Sequence, residues 1–302
     1  MTDAQRHFFN AGHLLWRWAV PVFFMITGAL LLNPRRNIKY KECIGKYCKR
    51  IFLVLMFFAV PFAALIQLSN GVRDLSLIWK SVIAIFIGQS FAHLWYLYAL
   101  IGIYLLIPIL KAFVENSDKH ELTYTLGVMF LFNFIVPTME RITNASIAFL
   151  IPIGYSIFYV LAGYYLMYYV KVKGEAWINI VIGVISVMLI IFSYMDFIPK
   201  EWTYYDNPLI AVEAWLIFIA FKNIKERDNI VKIWKLDRLC FGVYLIHPIF
   251  IHFTYRFLKI TPFSVENGYI ITTIGFWIMF TIISFIGSML LNKIKLLKKY
   301  ML

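Results

Sequence analysis

The sequence predicts an all-α fold, a polytopic integral membrane helical bundle of about nine transmembrane helices plus one short re-entrant or interfacial segment. Three observations predict it. Of the 302 residues, 62% are hydrophobic and 15% are charged, whereas soluble domains carry about 25% charged residues. Uncharged apolar runs recur at the length of a membrane crossing, ~20 residues at a rise of ~1.5 Å for a ~30 Å hydrocarbon core. The basic residues fall between those runs, and mostly in alternate gaps. No polar or Pro/Gly/Ser-rich linker divides the chain, so a single membrane domain is expected over 1–302.

The first run, 18–32, holds no charge and is stopped by Arg17 on one side and by Asn33-Pro34-Arg35-Arg36 on the other. Residues 33–50 then carry Arg35, Arg36, Lys39, Lys41, Lys46, Lys49 and Arg50 against the single acid Glu42. Short loops this basic stay in the cytoplasm. That orientation makes residues 1–15 a short extracytoplasmic tail. With Arg6, His7 and His13 in it, the tail has no apolar core of a signal peptide.

The run 51–68 returns outward with Pro61 inside it. Residues 75–87 are interrupted by Lys80 and closed by Gly88, which is too short for a crossing and suits a re-entrant or interfacial piece. Were it to cross, every later loop would change sides. The remaining spans are 94–112, 121–137, 146–170, 176–195, 207–221, 237–259 and 269–291. This parity places 20 of the 29 Lys and Arg residues inside, including those of 222–235 and of the C-terminal tail. The N-terminus is then outside and the C-terminus cytoplasmic. Trp95, Tyr96, Tyr98, Trp202, Tyr204 and Tyr205 form an aromatic belt at the outer edge.

Charge so placed is a topology signal. The net charge of +13 therefore implies membrane lipids and no nucleic acid as partner. Cys43, Cys48 and Cys240 show no ligand spacing with histidine, so neither disulfide nor metal site is expected.

Polar groups deep in a bilayer are costly and default to functional candidates. Glu213 lies near the middle of 207–221 with no Lys or Arg three or four residues away. It is either a hydrogen-bonded packing residue or a proton or substrate group. Tyr244 and His247 share a helix face. Pro248 cannot bond the Tyr244 carbonyl, so the helix should kink there and leave that carbonyl beside both side chains. About ten residues into its span, His247 is expected near the midplane, as a bundle histidine or a site residue. His93 opens an inward helix at the outer mouth, as an interfacial cap or a substrate contact, and His252, Tyr255 and Arg256 read as interface anchors. Lys46, Lys49 and Arg50 are either topology signal or a grip for an anionic cofactor. Gly-rich phosphate loops, GxSxG and HExxH are absent.

Three blocks in this order resemble the acyltransferase-3 family of bacterial membrane O-acyltransferases. They are Arg17-Trp-Ala-Val-Pro-Val-Phe-Phe-Met-Ile-Thr27-Gly28, His93-Leu-Trp95-Tyr-Leu-Tyr-Ala-Leu-Ile-Gly-Ile-Tyr104-Leu-Leu-Ile-Pro108 and Phe241-Gly242-Val-Tyr244-Leu-Ile-His247-Pro248. The likeness runs from about residue 15 to the C-terminus and is nearest to the branch that O-acetylates surface polysaccharides and lipid-linked glycans. It implies a multi-pass protein of the bacterial inner membrane. Acetyl-CoA, or another acyl-CoA, would be co-substrate with no permanently bound cofactor, and a glycan or lipid-linked sugar would be acceptor. Lys46 and Lys49 look like the family's basic pair of arginines three apart, with Arg50 next, and imply the CoA side. Thr27 stands where the family often has Ser. Tyr244 and His247 would line the acyl path and His93 the acceptor mouth, with Glu213 a fourth catalytic candidate. The resemblance also implies a first helix with an Arg and an outer-end His that acts in catalysis; that helix is expected ahead of Met1, so His7 and His13 do not inherit the role. A transporter or flippase-like carrier with Glu213 as proton relay is the competing class, though no inverted repeat supports it. A truncated, inactive copy is the third reading.

Overall fold

Helix begins earlier than the hydropathy alone suggests. The computed structural model describes residues 2–69, 71–88, 92–143, 154–172, 176–194, 205–223, 236–264, 268–295 and 297. Its first helices are α1, Asp3–Leu15, and α2, Ala19–Leu31. The stretch expected as a tail is thus a helix. A reciprocal cap starts it, in which the Gln5 N–H donates to the Thr2 hydroxyl and the Thr2 N–H donates to the Gln5 side chain. Gln5, Ala11 and Leu14 are buried, the last two on one face, and Leu14 packs with Ile185, Leu189 and Ile210. His7 and His13 therefore ride a docked helix. A narrow apolar face was enough to fold a segment whose charges argued against a span.

The chain is an all-α, polytopic membrane bundle. Five helical stretches among the described residues are long and apolar enough to cross a membrane. They are Asp3–Leu31, α3 (Tyr40–Leu68), α5 (Trp95–Asn116), α6 (Lys119–Thr143) and α11 (Tyr269–Lys293). Between them lie α4 (Ser76–Phe86), α7 (Tyr155–Tyr168), α8 (Ala176–Tyr194), α9 (Pro208–Asn223) and α10 (Leu236–His252). Only 33–39 of the expected basic loop is non-helical. From Tyr40 onward its lysines sit on α3, whose first turns include a π-turn at Cys43–Cys48. Trp202, Tyr204, Lys173 and the basic residues of 224–235 lie outside the described residues.

The chain folds into two compact units. One comprises Thr2–Ile44 and Gly102–Lys225. Within it α2 and α7 touch backbone to backbone. A Cβ built on Gly28 would lie 1.8 Å from the Val160 carbonyl oxygen, and one on Gly163 would lie 2.0 Å from that of Met25. Small residues serve this purpose in lipid, where no hydrophobic force pulls helices together and close contact must do so.

Two lysines close helix ends in the same unit. The Lys111 ammonium, 5% exposed, donates to the carbonyls of Leu32 (3.2 Å) and Asn33 (2.6 Å) and pairs with Glu115 at 3.0 Å. Lys222 donates to the carbonyls of Leu166 (2.8 Å) and Val170 (2.7 Å). The last carbonyls of a helix lack backbone partners and carry partial negative charge, which a cation meets. The end of α5 thus lies beside the end of α2, and the end of α9 beside that of α7. Between Asn33 and Lys111 the chain returns to one level, which takes an even number of crossings. α3 and α5 supply two. α4, 11 residues long and so ~16 Å, is not a third.

The other unit comprises Gly45–Ile101 and Glu226–Leu302. α4 packs on the end of α3, and the Tyr98 hydroxyl in α5 donates to the Ile85 carbonyl at 2.8 Å. α10 packs on α11. The Ser288 hydroxyl donates to the Leu239 carbonyl at 2.8 Å, and Gly287 leaves room for the Ile246 side chain.

Candidate functional site

Three sequence-predicted residues meet inside this second unit. A 3₁₀ turn, Ala92–Leu94, leads into α5 and carries His93. Facing it, α10 presents Phe241, Tyr244 and His247, each three residues on from the last and so on nearly one face. The Tyr244 hydroxyl donates to the His93 carbonyl at 2.6 Å. The His93 ring lies edge-on to three others, with centroids 5.6 Å from Tyr244, 5.6 Å from His247 and 6.0 Å from Phe62. Tyr96 adds a further ring 6.0 Å from Tyr244. Phe62 went unpredicted, since one Phe in an apolar run carries no signal of its own.

His247 lies in the body of α10, so the His93 turn sits at the depth of a helix body. Midplane His247 and mouth His93, separate places in the sequence reading, are one place. Non-helical backbone at membrane depth is tolerated only where protein buries it or a wet cavity adjoins it. Helix continues through Pro248, since α10 runs on to His252 and a π-turn follows at Phe253–Phe257. The carbonyl freed by the proline is nonetheless beside both side chains, as expected. His247 Nδ1 lies 2.9 Å from the Tyr244 oxygen and 3.2 Å from that of Val243.

The aromatic wall continues to the basic segment. Phe241 stacks on Tyr244 with centroids 6.3 Å apart, and the Arg50 guanidinium lies 5.7 Å over the Phe241 ring. This cation–π contact links the predicted anion grip to the predicted acyl path. Lys46 and Lys49 are exposed, and the Lys46 ammonium lies 5.4 Å over the Tyr47 ring. The Cys48 thiol reaches the Ile101 carbonyl at 3.8 Å, which sets this part of α3 beside α5. Ile101 follows His93 by eight residues, or ~12 Å of helix rise.

Glu213 belongs to the first unit. It is 1% exposed on α9, and its Oε1 accepts from the Ser186 hydroxyl at 2.8 Å. Its Oε2 and the Trp215 indole N–H are buried without hydrogen-bond partners among the described residues. Tyr255 packs on Phe276 and Phe280 of α11, with centroids 6.1 Å away in each case. The Arg256 side chain lies outside the described residues.

A run of surfaces from a cation, across aromatic rings, to two imidazoles can hold an anionic group at one end and move a proton at the other. Compared with known families, residues 3–293 match one described as an acyltransferase domain, a match that crosses both units. No curated protein and no solved structure matches the chain.

Proposed function

The chain belongs to the acyltransferase-3 family and is an acyltransferase, and from that premise we propose that it carries an acyl group, acetyl foremost, from cytoplasmic acyl-CoA to a sugar hydroxyl of a cell-surface or lipid-linked glycan. It would do so in the inner membrane of a bacterium. The observation that supports this reading is the continuous wall Arg50–Phe241–Tyr244–His93/His247 within one unit.

The roles follow from the chemistry at each end. Phosphates of CoA are anionic, and Lys46, Lys49 and Arg50 supply donors for them, Arg50 in a planar fork and the lysines as point charges. An extended pantetheine arm then lies along Phe241 and Tyr244, with the thioester toward the imidazoles. Attack of a hydroxyl on a thioester carbonyl requires a base for the hydroxyl proton and donors for the oxyanion. His93 and His247 are the titratable side chains placed for the first task, and Glu213 has no part in this wall.

The test is thermal unfolding of the purified protein in detergent with acetyl-CoA. Acetyl-CoA should raise Tm, and the joint change Lys49→Ala and Arg50→Ala should abolish that rise at moderate salt, where exposed charges are screened within ~8–10 Å. An undiminished rise in the double variant would return the basic segment to a topology signal.

A further inference from the structure

The proline after His247 determines which ring nitrogen is available. Pro248 has no N–H, so the Tyr244 carbonyl four residues earlier has no helical donor. Within a membrane such a carbonyl is costly unless another donor takes it. His247 Nδ1 stands 2.9 Å from it and 3.2 Å from the Val243 carbonyl. A nitrogen facing two carbonyl oxygens must carry the hydrogen, because a bare lone pair there would be repelled by both. A neutral imidazole has a single N–H, which leaves Nε2 as the lone pair.

We infer that Pro248, by freeing the Tyr244 carbonyl, locks His247 in the Nδ1–H form, and that His247 Nε2 is the base that takes the acceptor hydroxyl's proton. The inference rests on the acyl-transfer reading above. Three features of the site support it. His247 is half-buried, so the ring is not sealed off by the packed helices. The Tyr244 hydroxyl hydrogen is committed to the His93 carbonyl at 2.6 Å, so it does not occupy Nε2. Both carbonyls at Nδ1 accept more strongly once the ring becomes a cation, so they support the imidazolium as it forms.

The step balances. As the sugar oxygen attacks the thioester carbon, its proton passes to Nε2 and the carbonyl electrons move onto oxygen. Collapse of that oxyanion breaks the C–S bond, and the departing CoA sulfur takes the proton back from Nε2. Ester and free thiol leave, and the ring returns to the Nδ1–H form. Pro248 touches neither substrate; it is a positioning residue.

Three measurements test this. In the ¹⁵N-labelled full chain, the His247 signals should show a protonated Nδ1 and a bare Nε2, and Pro248→Ala should give mixed tautomers, because the restored N–H takes the Tyr244 carbonyl. Inside-out membrane vesicles supplied with radiolabelled acetyl-CoA should incorporate label into their glycolipid. His247→Gln should cut that incorporation by ~10²–10⁴-fold while acetyl-CoA still raises Tm, and imidazole should partly restore turnover in His247→Ala. Pro248→Ala should lower kcat severalfold with KM for acetyl-CoA unchanged. A bare Nδ1 in the unaltered chain overturns the tautomer lock, and full turnover in both His247 variants overturns the base assignment alone. An unaltered chain that incorporates no label overturns the acyl-transfer reading, and the base assignment with it.

Discussion

Lys111 and Lys222 show what a single charged residue does at a membrane helix end. In sequence both count toward cytoplasmic charge. In the structure each ammonium also satisfies two backbone carbonyls, at Leu32 and Asn33 for Lys111 and at Leu166 and Val170 for Lys222. A hydrogen bond from a charged donor contributes ~1.5–3 kcal/mol net, and removing the donor also leaves carbonyls unmet. Lys111→Met and Lys222→Met should each lower stability by about that amount, read as a drop in Tm in detergent. The exposed Lys41 on α3 is the control, and Lys41→Met should stay within ~0.5 kcal/mol. A Lys111→Met protein as stable as the Lys41→Met control would mean that the ammonium is no cap. The double role was hidden because Lys111 is 79 residues from its Leu32 partner, and charge counting records a side and no partner.

Among the helices, α2 and α7 depend most on having no side chain at particular points. Gly163→Ala would put a methyl 2.0 Å from the Met25 carbonyl oxygen, and Gly28→Ala one 1.8 Å from that of Val160. Backbone cannot swing aside as a side chain can, so the helices must separate. Overpacking in cores costs ~1–3 kcal/mol, and both variants should reach or exceed that on thermal unfolding. Gly183 on α8 has nothing within 4 Å of a built Cβ, so Gly183→Ala should leave stability unchanged or raise it by the ~1 kcal/mol of better helix propensity. Equal effects at Gly163 and Gly183 would refute the close approach. Thr27-Gly28 was legible as part of a family-like block, but its partner Gly163 was not, because a glycine in an apolar run shows no partner. The length of α4 was legible too. At 11 residues it is too short to cross, and the return of the chain to one level at Lys111 agrees with that.

For the molecule as a whole, the expectation is a cytoplasmic C-terminus and an N-terminus outside. It rests on 20 of the 29 basic residues lying on one side in the assigned parity, and on paired helix ends that agree with it. A C-terminal reporter that is active only in the cytoplasm should be active, and one that requires export should be silent. The reverse pattern would put Arg50 on the side away from cytoplasmic acyl-CoA.

The sequence alone determined the class of this protein. Bilayer-length apolar runs must be helices, since nothing else short of a closed barrel satisfies backbone polar groups in lipid. Pro248 after His247 already specified an orphaned carbonyl, because that follows from covalent structure. Only the tertiary structure decided that His93 would lie against Tyr244, 151 residues away, that Glu213 would pair with Ser186 in the other unit, and that residues 3–15 would dock as a helix. Hydropathy reports whether a helix prefers lipid, and to lipid every apolar face looks alike. Which faces meet is settled by shape, by glycine gaps and by single buried hydrogen bonds, and those exist only after the helices pack.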